Sequence, residues 1–412
     1  MNTINQIVPE PKSIHVEALS ALTSKEYPIG VFDPLIVDFL DALSKGIMKN
    51  RQINRNPGLT ALGFWLRSAN IRGIIFENAH LVNPAKYRLR PLGVVFHICP
   101  ANVDTMFLYS MALSMLTGNK NILRLSSKIE SPDMLVLFDI IRETLNVSQF
   151  ELLKPYLNIF QYEHNDDISA FLSMQANGRI VWGGDNTVKL FKSFPTKGRT
   201  KDIFFPDRIS YAIFDAAKFN TLGEDNQKEL VRKFYNDSYI FDQKGCSSPQ
   251  VLFIYGNKDD ASNFKQHFYN LLNTYSSANY QNDIFSLAML KLNHLISDIF
   301  DESIKTNDVI KKTNYLYFVD IDSPSENMES CGGGYFYIKQ INTIEEIVPF
   351  IHVDVQTLSY FELTLTDLEK IVQIGYGKGI DRIVPVGEAL TFEYIWDGYN
   401  LLDELCLKTR IK

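Results

Sequence analysis

Cysteine is scarce in this chain of 412 residues, with only Cys99, Cys246, Cys331 and Cys406. Four scattered thiols cannot build the disulfide framework of a small secreted domain, and no Cys-x-x-Cys pair offers a zinc site. Positive charge is also short. The 41 Lys and Arg against 48 Asp and Glu leave a formal net charge of −7, which excludes a broad basic surface for nucleic acid. No apolar run is long enough to span a bilayer: the most lipid-like stretch, Pro91–Gly118, is broken by His97, Pro100, Asn102 and Asp104. The N-terminus lacks a basic start followed by an apolar core, so no signal peptide is expected and the chain reads as cytoplasmic with reduced thiols. A Gly-x-Gly-x-x-Gly fingerprint is absent too, and Gly375, Gly377 and Gly379 have the wrong spacing and are assigned to turns.

The composition that is present, 45% hydrophobic and 22% charged, is that of a globular protein. Single cores stop growing at about 250–300 residues, so the length favours two lobes. Residues 1–85 read as mostly helical and loop-like, with helices near Pro34–Met48 and Leu59–Arg67. From Leu92 short apolar runs alternate with helix-length segments. Leu92–Ile98 is apolar on both faces, as a central parallel strand is. A helix over Asp104–Leu116 follows, then a strand at Asn121–Leu125 and a helix at Ser131–Leu145 opened by Ser131-Pro132. Strands at Arg179–Trp182, Ile209–Phe214 and Gln250–Tyr255 continue a doubly wound α/β pattern. The 28 Phe and 20 Tyr suit either an apolar acyl tunnel or a large core.

Cys246 follows Gly245 and precedes Ser247, Ser248 and a strand, so its thiol can stand exposed at an element boundary. Lys244 and nearby backbone N–H groups can supply the positive field that a reactive thiolate needs. The other reading is a small buried core residue, the usual fate of a free cysteine. That second reading is assigned to Cys331 and Cys406, and Cys99 is read as structural.

Pro91–Lys128 carries Pro100-Ala101-Asn102 after a strand, then Gly118-Asn119, then Arg124, Ser126 and Ser127 after a second strand. Val181-Trp182-Gly183-Gly184 and Gly245–Gln250 come later, in order. This succession resembles the aldehyde dehydrogenase superfamily. Cys246–Gln250, Asp381–Gly387 and Trp396–Tyr399 narrow the resemblance to the bacterial long-chain acyl-CoA reductases of luminescence operons (LuxC-type), across about three quarters of the chain. The resemblance implies two doubly wound α/β lobes around a cleft: an NADP-binding lobe over 1–206 plus 386–412, and a catalytic lobe over 207–385. It makes Cys246 the nucleophile and gives Asn102, with the Cys246 N–H, to the oxyanion of the attacked carbonyl. It gives Arg124, Ser126, Ser127, Lys128, Gly183 and Gly184 to the cofactor, with the helix after Gly184 aimed at a phosphate. Ser127 stands where NAD-selective members often carry a Glu, and with the two cations Arg124 and Lys128 it would welcome a 2′-phosphate, so NADPH is expected rather than NADH.

One departure bears on the chemistry. Hydrolytic aldehyde dehydrogenases carry a general-base Glu upstream of the cysteine, and Ile203 or Phe204 falls on that position here, with Asp202 and Asp207 as neighbouring carboxylates. An acyl-cysteine without a base is spared hydrolysis and can await hydride. The expected activity is NADPH-dependent reduction of an acyl thioester, such as a fatty acyl-CoA, to an aldehyde. The alternatives are an aldehyde dehydrogenase working oxidatively and a non-catalytic acyl-binding subunit. The resemblance also implies an acyl-protein synthetase as partner and a homo-oligomer. No metal, nucleic-acid partner or membrane span is expected.

Overall fold

The computed structural model describes residues 3–23, 29–82, 86–100, 105–126, 131–280, 283–300, 310–322 and 330–412. Backbone contacts divide the chain into two units: Met1–Asp207 with Phe392–Lys412, and Arg208–Thr391.

Among the described residues, the first unit is built on a seven-stranded sheet in the order Lys12–His15, Thr3–Val8, Leu157–Gln161, Lys120–Leu125, Val94–Ile98, Gly178–Trp182 and Lys201–Phe205. The last five run parallel. In chain order they lie 3-2-1-4-5, so the winding reverses at Val94–Ile98, whose neighbours are the second and fourth parallel strands. Val94–Ile98 is buried along its whole length, which explains an apolar run without alternation. The helix Met106–Leu116 behind it is likewise fully buried. Pro132–Leu145 begins as the Ser131-Pro132 pair predicts: the Ser131 hydroxyl accepts the Met134 N–H and proline occupies the first turn.

The reading of residues 1–85 as helix and loop needs correcting, because Thr3–Val8 and Lys12–His15 extend the sheet antiparallel. The inward positions of Thr3–Val8 are Ile4, Gln6 and Val8. Gln6 is buried because its amide donates to Asn158 Oδ1 (3.1 Å) and Val8 O (3.1 Å). A polar side chain at an inward position hid the period-two pattern.

The second unit holds another seven-stranded sheet among the described residues: Ile310–Lys312, Tyr317–Asp320, Tyr335–Ile341, Pro249–Tyr255, Ile209–Asp215, Val355–Phe361 and Arg382–Pro385. All pairs but the first are parallel. Many of the aromatics enter its core. Phe214, Phe234, Phe264 and Phe268 pack with Phe336 in one cluster, and Tyr211, Phe253, Tyr335 and Tyr337 in another. No helix among the described residues is long and apolar enough to cross a membrane.

Candidate active site

Cys246 sits in the second unit, on the turn that joins the helix Glu224–Tyr239 to the strand Pro249–Tyr255. The turn closes by Ser248 N–H donating to Gly245 O (2.9 Å). The Cys246 carbonyl accepts the Ser210 hydroxyl (2.7 Å), whose oxygen in turn accepts the Thr357 N–H (3.1 Å). The nucleophile candidate is thus fixed at the N-terminal edge of its sheet, by strands on one side of its own. All four cysteines are free, yet they are not equivalent. Burial pushes the Cys99 thiol far up, Cys331 to about 12 against the pull of Lys291, and Cys406 to about 11. Cys246 is partly exposed, as Cys331 is, but only Cys246 has an exposed lysine, Lys244, two residues before it.

The approach to Cys246 is stiff. Asp242 and Gln243 both take left-handed backbone conformations, with φ of +54° and +61°. The buried Gln243 amide makes four hydrogen bonds. Its Oε1 accepts the N–H groups of Gly334 and Tyr335 (3.1 Å each), and its Nε2 donates to Pro249 O (2.8 Å) and Tyr335 O (2.9 Å). On the other side of Cys246, Gln250 Oε1 accepts the Ser330 N–H (2.8 Å). Two glutamines therefore bracket the cysteine and grip the Ser330–Tyr335 loop. Glycine is obligatory in that loop: at Gly334 φ is +86° and a Cβ would stand 2.4 Å from Tyr239 Oη and from Tyr315 O. Sequence reasoning took Gln250 only as the end of the Cys246–Gln250 motif and passed over Gln243 and the Gly332–Gly334 run. Three glycines in succession beside Cys331 were the available signal.

Arg124, Ser126, Gly183 and Gly184 belong to the first unit and follow or end parallel strands. Their strands flank Val94–Ile98 on its two sides, and such a reversal of winding is where open α/β sheets take ligands at strand C-terminal ends. Asn102, Ser127 and Lys128 lie outside the described residues. The Arg124 guanidinium stands 5.3 Å from the Tyr162 ring, and its buried Nε has no hydrogen-bond partner. That orphaned donor fits an anionic or hydroxyl-bearing ligand.

The Gly183–Gly184 turn fits less simply. A Cβ on Gly184 would lie 2.6 Å from Asp207 Oδ2, and the same carboxylate oxygen accepts the Asp185 N–H (3.0 Å). The N-terminus of the helix Asp185–Ser193, expected to face a phosphate, already faces a carboxylate. A phosphate there requires Asp207 to turn away. Asp202 is also engaged, in a two-pronged pair with Arg179 (2.7 and 2.6 Å). Ile203 is buried, and Phe204 lies under the cations of Arg179 and Lys192. His97, between Ser110 Oγ (2.8 Å) and Asn121 Oδ1 (2.9 Å), is a satisfied core residue that burial holds neutral, its value lowered to about 4.

Two distant motifs meet within the first unit. Trp182 stacks on Phe205 (3.8 Å between ring centres) and abuts Trp396, while Tyr399 meets Phe205 edge-on. Trp396–Tyr399 is a tight hairpin whose Asp397 and Gly398 have φ of +47° and +75°, as the Asp-Gly pair dictates. In the second unit, Asp381–Gly387 leads into a turn in which Asp237 accepts the Gly387 and Ala389 N–H groups (2.6 and 3.1 Å).

Residues 72–408 match the acyl-CoA reductase (LuxC) family. The chain belongs to that family. It is similar to the long-chain acyl-protein thioester reductase of Aliivibrio fischeri, with 22% identity over 308 residues, covering 73% of this chain and 59% of that protein. The chain thus spans about three fifths of the length of that curated relative. Among solved structures it resembles the betaine aldehyde dehydrogenase of Staphylococcus aureus in complex with NAD+ (TM-score 0.64, 13% identity, 100% of this chain and 91% of that one). The lactaldehyde dehydrogenase of Escherichia coli is similar as well (TM-score 0.61, 14% identity, 96% and 89%). These likenesses show the aldehyde dehydrogenase fold. Among the described residues, no group of three or more His, Cys, Asp or Glu is placed to hold a metal ion.

Proposed function

We propose that this protein is an acyl-CoA reductase that converts an acyl thioester to an aldehyde through an acyl-cysteine at Cys246. Family membership supports the reaction class. The observation that carries the reading is what occupies the general-base position of hydrolytic aldehyde dehydrogenases, as the resemblance aligns it. Ile203 and Phe204 stand there and carry no proton acceptor, while the carboxylates adjacent in sequence have other partners, Asp202 the Arg179 guanidinium and Asp207 the Asp185 N–H. An acyl-cysteine without a base at that position is spared base-assisted hydrolysis and can await hydride.

The Cys246 thiolate attacks the thioester carbonyl, and the C–S bond to the donor breaks, releasing a thiol such as CoA. The developing oxyanion is given to the Cys246 N–H and the Asn102 amide, donors of a kind worth about 2.7–4 kcal/mol each in a transition state. A reduced nicotinamide, when bound, supplies the hydride. The resulting hemithioacetal at Cys246 then breaks its C–S bond, releasing aldehyde and regenerating the thiolate. Arg124 and Ser126, with Ser127 and Lys128, are assigned to the nucleotide, and the cations favour the extra phosphate of NADPH. Gly183 and Gly184 stay assigned to its diphosphate, subject to the movement of Asp207. An acyl-protein synthetase remains the proposed donor partner, and the cytoplasm the proposed location.

The test is mass spectrometry of the protein mixed with a long-chain acyl-CoA and no nucleotide, followed by NADPH addition. One acyl adduct on Cys246, discharged as aldehyde by NADPH, is the expected result. Cys246→Ala should lack both adduct and turnover, and Cys406→Ala should keep them. Wild-type turnover in Cys246→Ala would refute the mechanism.

A further inference from the structure

The helix Ile284–Phe300 in the second unit is amphipathic in the inverted sense. Its ionisable residues point inward. Lys291 is buried and donates to Asn314 O (2.9 Å) and Gly333 O (2.7 Å). Asp298 is buried and accepts the hydroxyls of Tyr335 (2.6 Å) and Tyr337 (2.9 Å), and His294 bonds Tyr337 Oη (3.1 Å). These bonds fix the helix about its own axis, so its outward face is not an accident of rotation. That face carries a stripe of exposed apolar side chains, Phe285 at 80%, Met289 at 58%, Ile296 at 43% and Phe300 at 81%, flanked by the uncharged Ser286, Asn293 and Ser297. The exposed positions of this helix carry no Lys, Arg, Asp or Glu. An exposed apolar stripe with the polar groups buried beneath it is the informative reversal of the usual pattern.

We propose that this face binds a second copy of the same chain, the two helices crossing antiparallel on a two-fold axis between Leu292 and Asn293. These four exposed apolar residues, Phe285, Met289, Ile296 and Phe300, are placed symmetrically about that point, with Leu292 and Asn293 on either side of it. Phe285 and Phe300 are equidistant from it, as are Met289 and Ile296. An isologous contact requires that where residue i meets j, j meets i. Antiparallel packing satisfies this with Phe285 on the partner's Phe300 and Met289 on the partner's Ile296. The absence of ionised side chains on the face removes like-charge repulsion at the contact. Area points the same way. With roughly 150–250 Å² to bury per aromatic side chain, the four exposed residues offer on the order of 500 Å² per copy. The pair would then bury about 1,000 Å², the size at which a specific interface becomes sustainable. A membrane surface suits the face less well, because no basic side chain borders the stripe on this helix and the chain carries a net charge of −7.

Sedimentation velocity of the full chain over a wide concentration range tests the proposal. The wild type should dimerise, and the double variant Met289→Lys, Ile296→Lys should raise the dissociation constant about 100-fold or more, because it removes the centre of the contact. Both positions are solvent-facing, so circular dichroism and melting temperature should match the wild type. A second variant reads the geometry directly. Asn293→Cys sits beside the axis and should form an intermolecular disulfide on mild oxidation beyond any seen in wild type. Ser286→Cys, about 20 Å from its copy at 1.5 Å per residue, should not. A monomeric wild type, a dimer indifferent to the two lysines, or linkage through Ser286→Cys instead of Asn293→Cys would each overturn the proposal. So would co-flotation of the wild type with phosphatidylglycerol-containing vesicles that the lysine pair abolishes, which would assign the face to lipid.

Discussion

Gln243 is the residue on which the rigidity of the Cys246 turn should depend. Replacing it with alanine removes four buried hydrogen bonds to backbone groups of Pro249, Gly334 and Tyr335. At a net worth of about 0.5–1.5 kcal/mol each, the loss should be roughly 2–6 kcal/mol. Backbone conformation adds a second, separable effect. A non-glycine residue at φ +61° is strained by about 1–2 kcal/mol. Gln243→Gly therefore loses the same amide but relieves the strain, and should be more stable than Gln243→Ala by about 1 kcal/mol.

Urea unfolding followed by two probes localises the effect. All three tryptophans, Trp65, Trp182 and Trp396, lie in the first unit, so their emission follows that unit while far-UV circular dichroism sees both. A lesion in the second unit should move the dichroism transition further than the fluorescence transition. Misplacement of a nucleophile by about 1 Å typically costs on the order of 100-fold, so kcat should fall with little change in the KM for nucleotide. The reasoning is refuted if Gln243→Ala loses less than about 1 kcal/mol, or if Gln243→Gly is no more stable than Gln243→Ala.

Two other outcomes are expected. Burial raises the Asp237 carboxyl to about 7, against the pull of the Gly387 and Ala389 N–H groups, so between its ordinary value near 3.8 and about 7 the native state holds a proton that the unfolded chain has released. Stability contributed by this group therefore falls as pH rises through that window, by up to about 4 kcal/mol. Asp237→Asn should flatten the dependence of unfolding free energy between pH 4 and 7, and an unchanged slope would count against it. Asp207→Asn removes a negative charge from the start of the helix Asp185–Ser193. It should tighten NADPH by about 2- to 5-fold at low ionic strength, corresponding to ~0.3–1 kcal/mol. Nucleotide titration by calorimetry checks this, and unchanged or weaker binding would show that no phosphate reaches that helix.

What could be read in the sequence follows from the range of the interactions involved. Val94–Ile98 and Ser131-Pro132 announce themselves because both-face burial and helix capping are written in contiguous residues. Thr3–Val8 did not, since Gln6 occupies an inward position only by virtue of Asn158, far along the chain. The same distinction divides the site. Cys246 stands out locally, between glycine and small polar residues ahead of a strand. Gln243 looks like any surface glutamine until the Gly334–Tyr335 backbone, about 90 residues later, is brought against it. Asp207 is the sharper case. The turn Gly183-Gly184 invites a reading in which missing side chains leave room for a ligand. Fold geometry instead fills that room with a carboxylate from the end of the neighbouring strand. A glycine records that something approaches closely. Which chemical group approaches is decided by strand order, because only the adjacency of Gly178–Trp182 and Lys201–Phe205 delivers Asp207 to Gly184. Sequence resemblance can therefore locate such a turn without settling its electrostatics, and the helix beyond it binds an anion only to the extent that Asp207 can be displaced or neutralised.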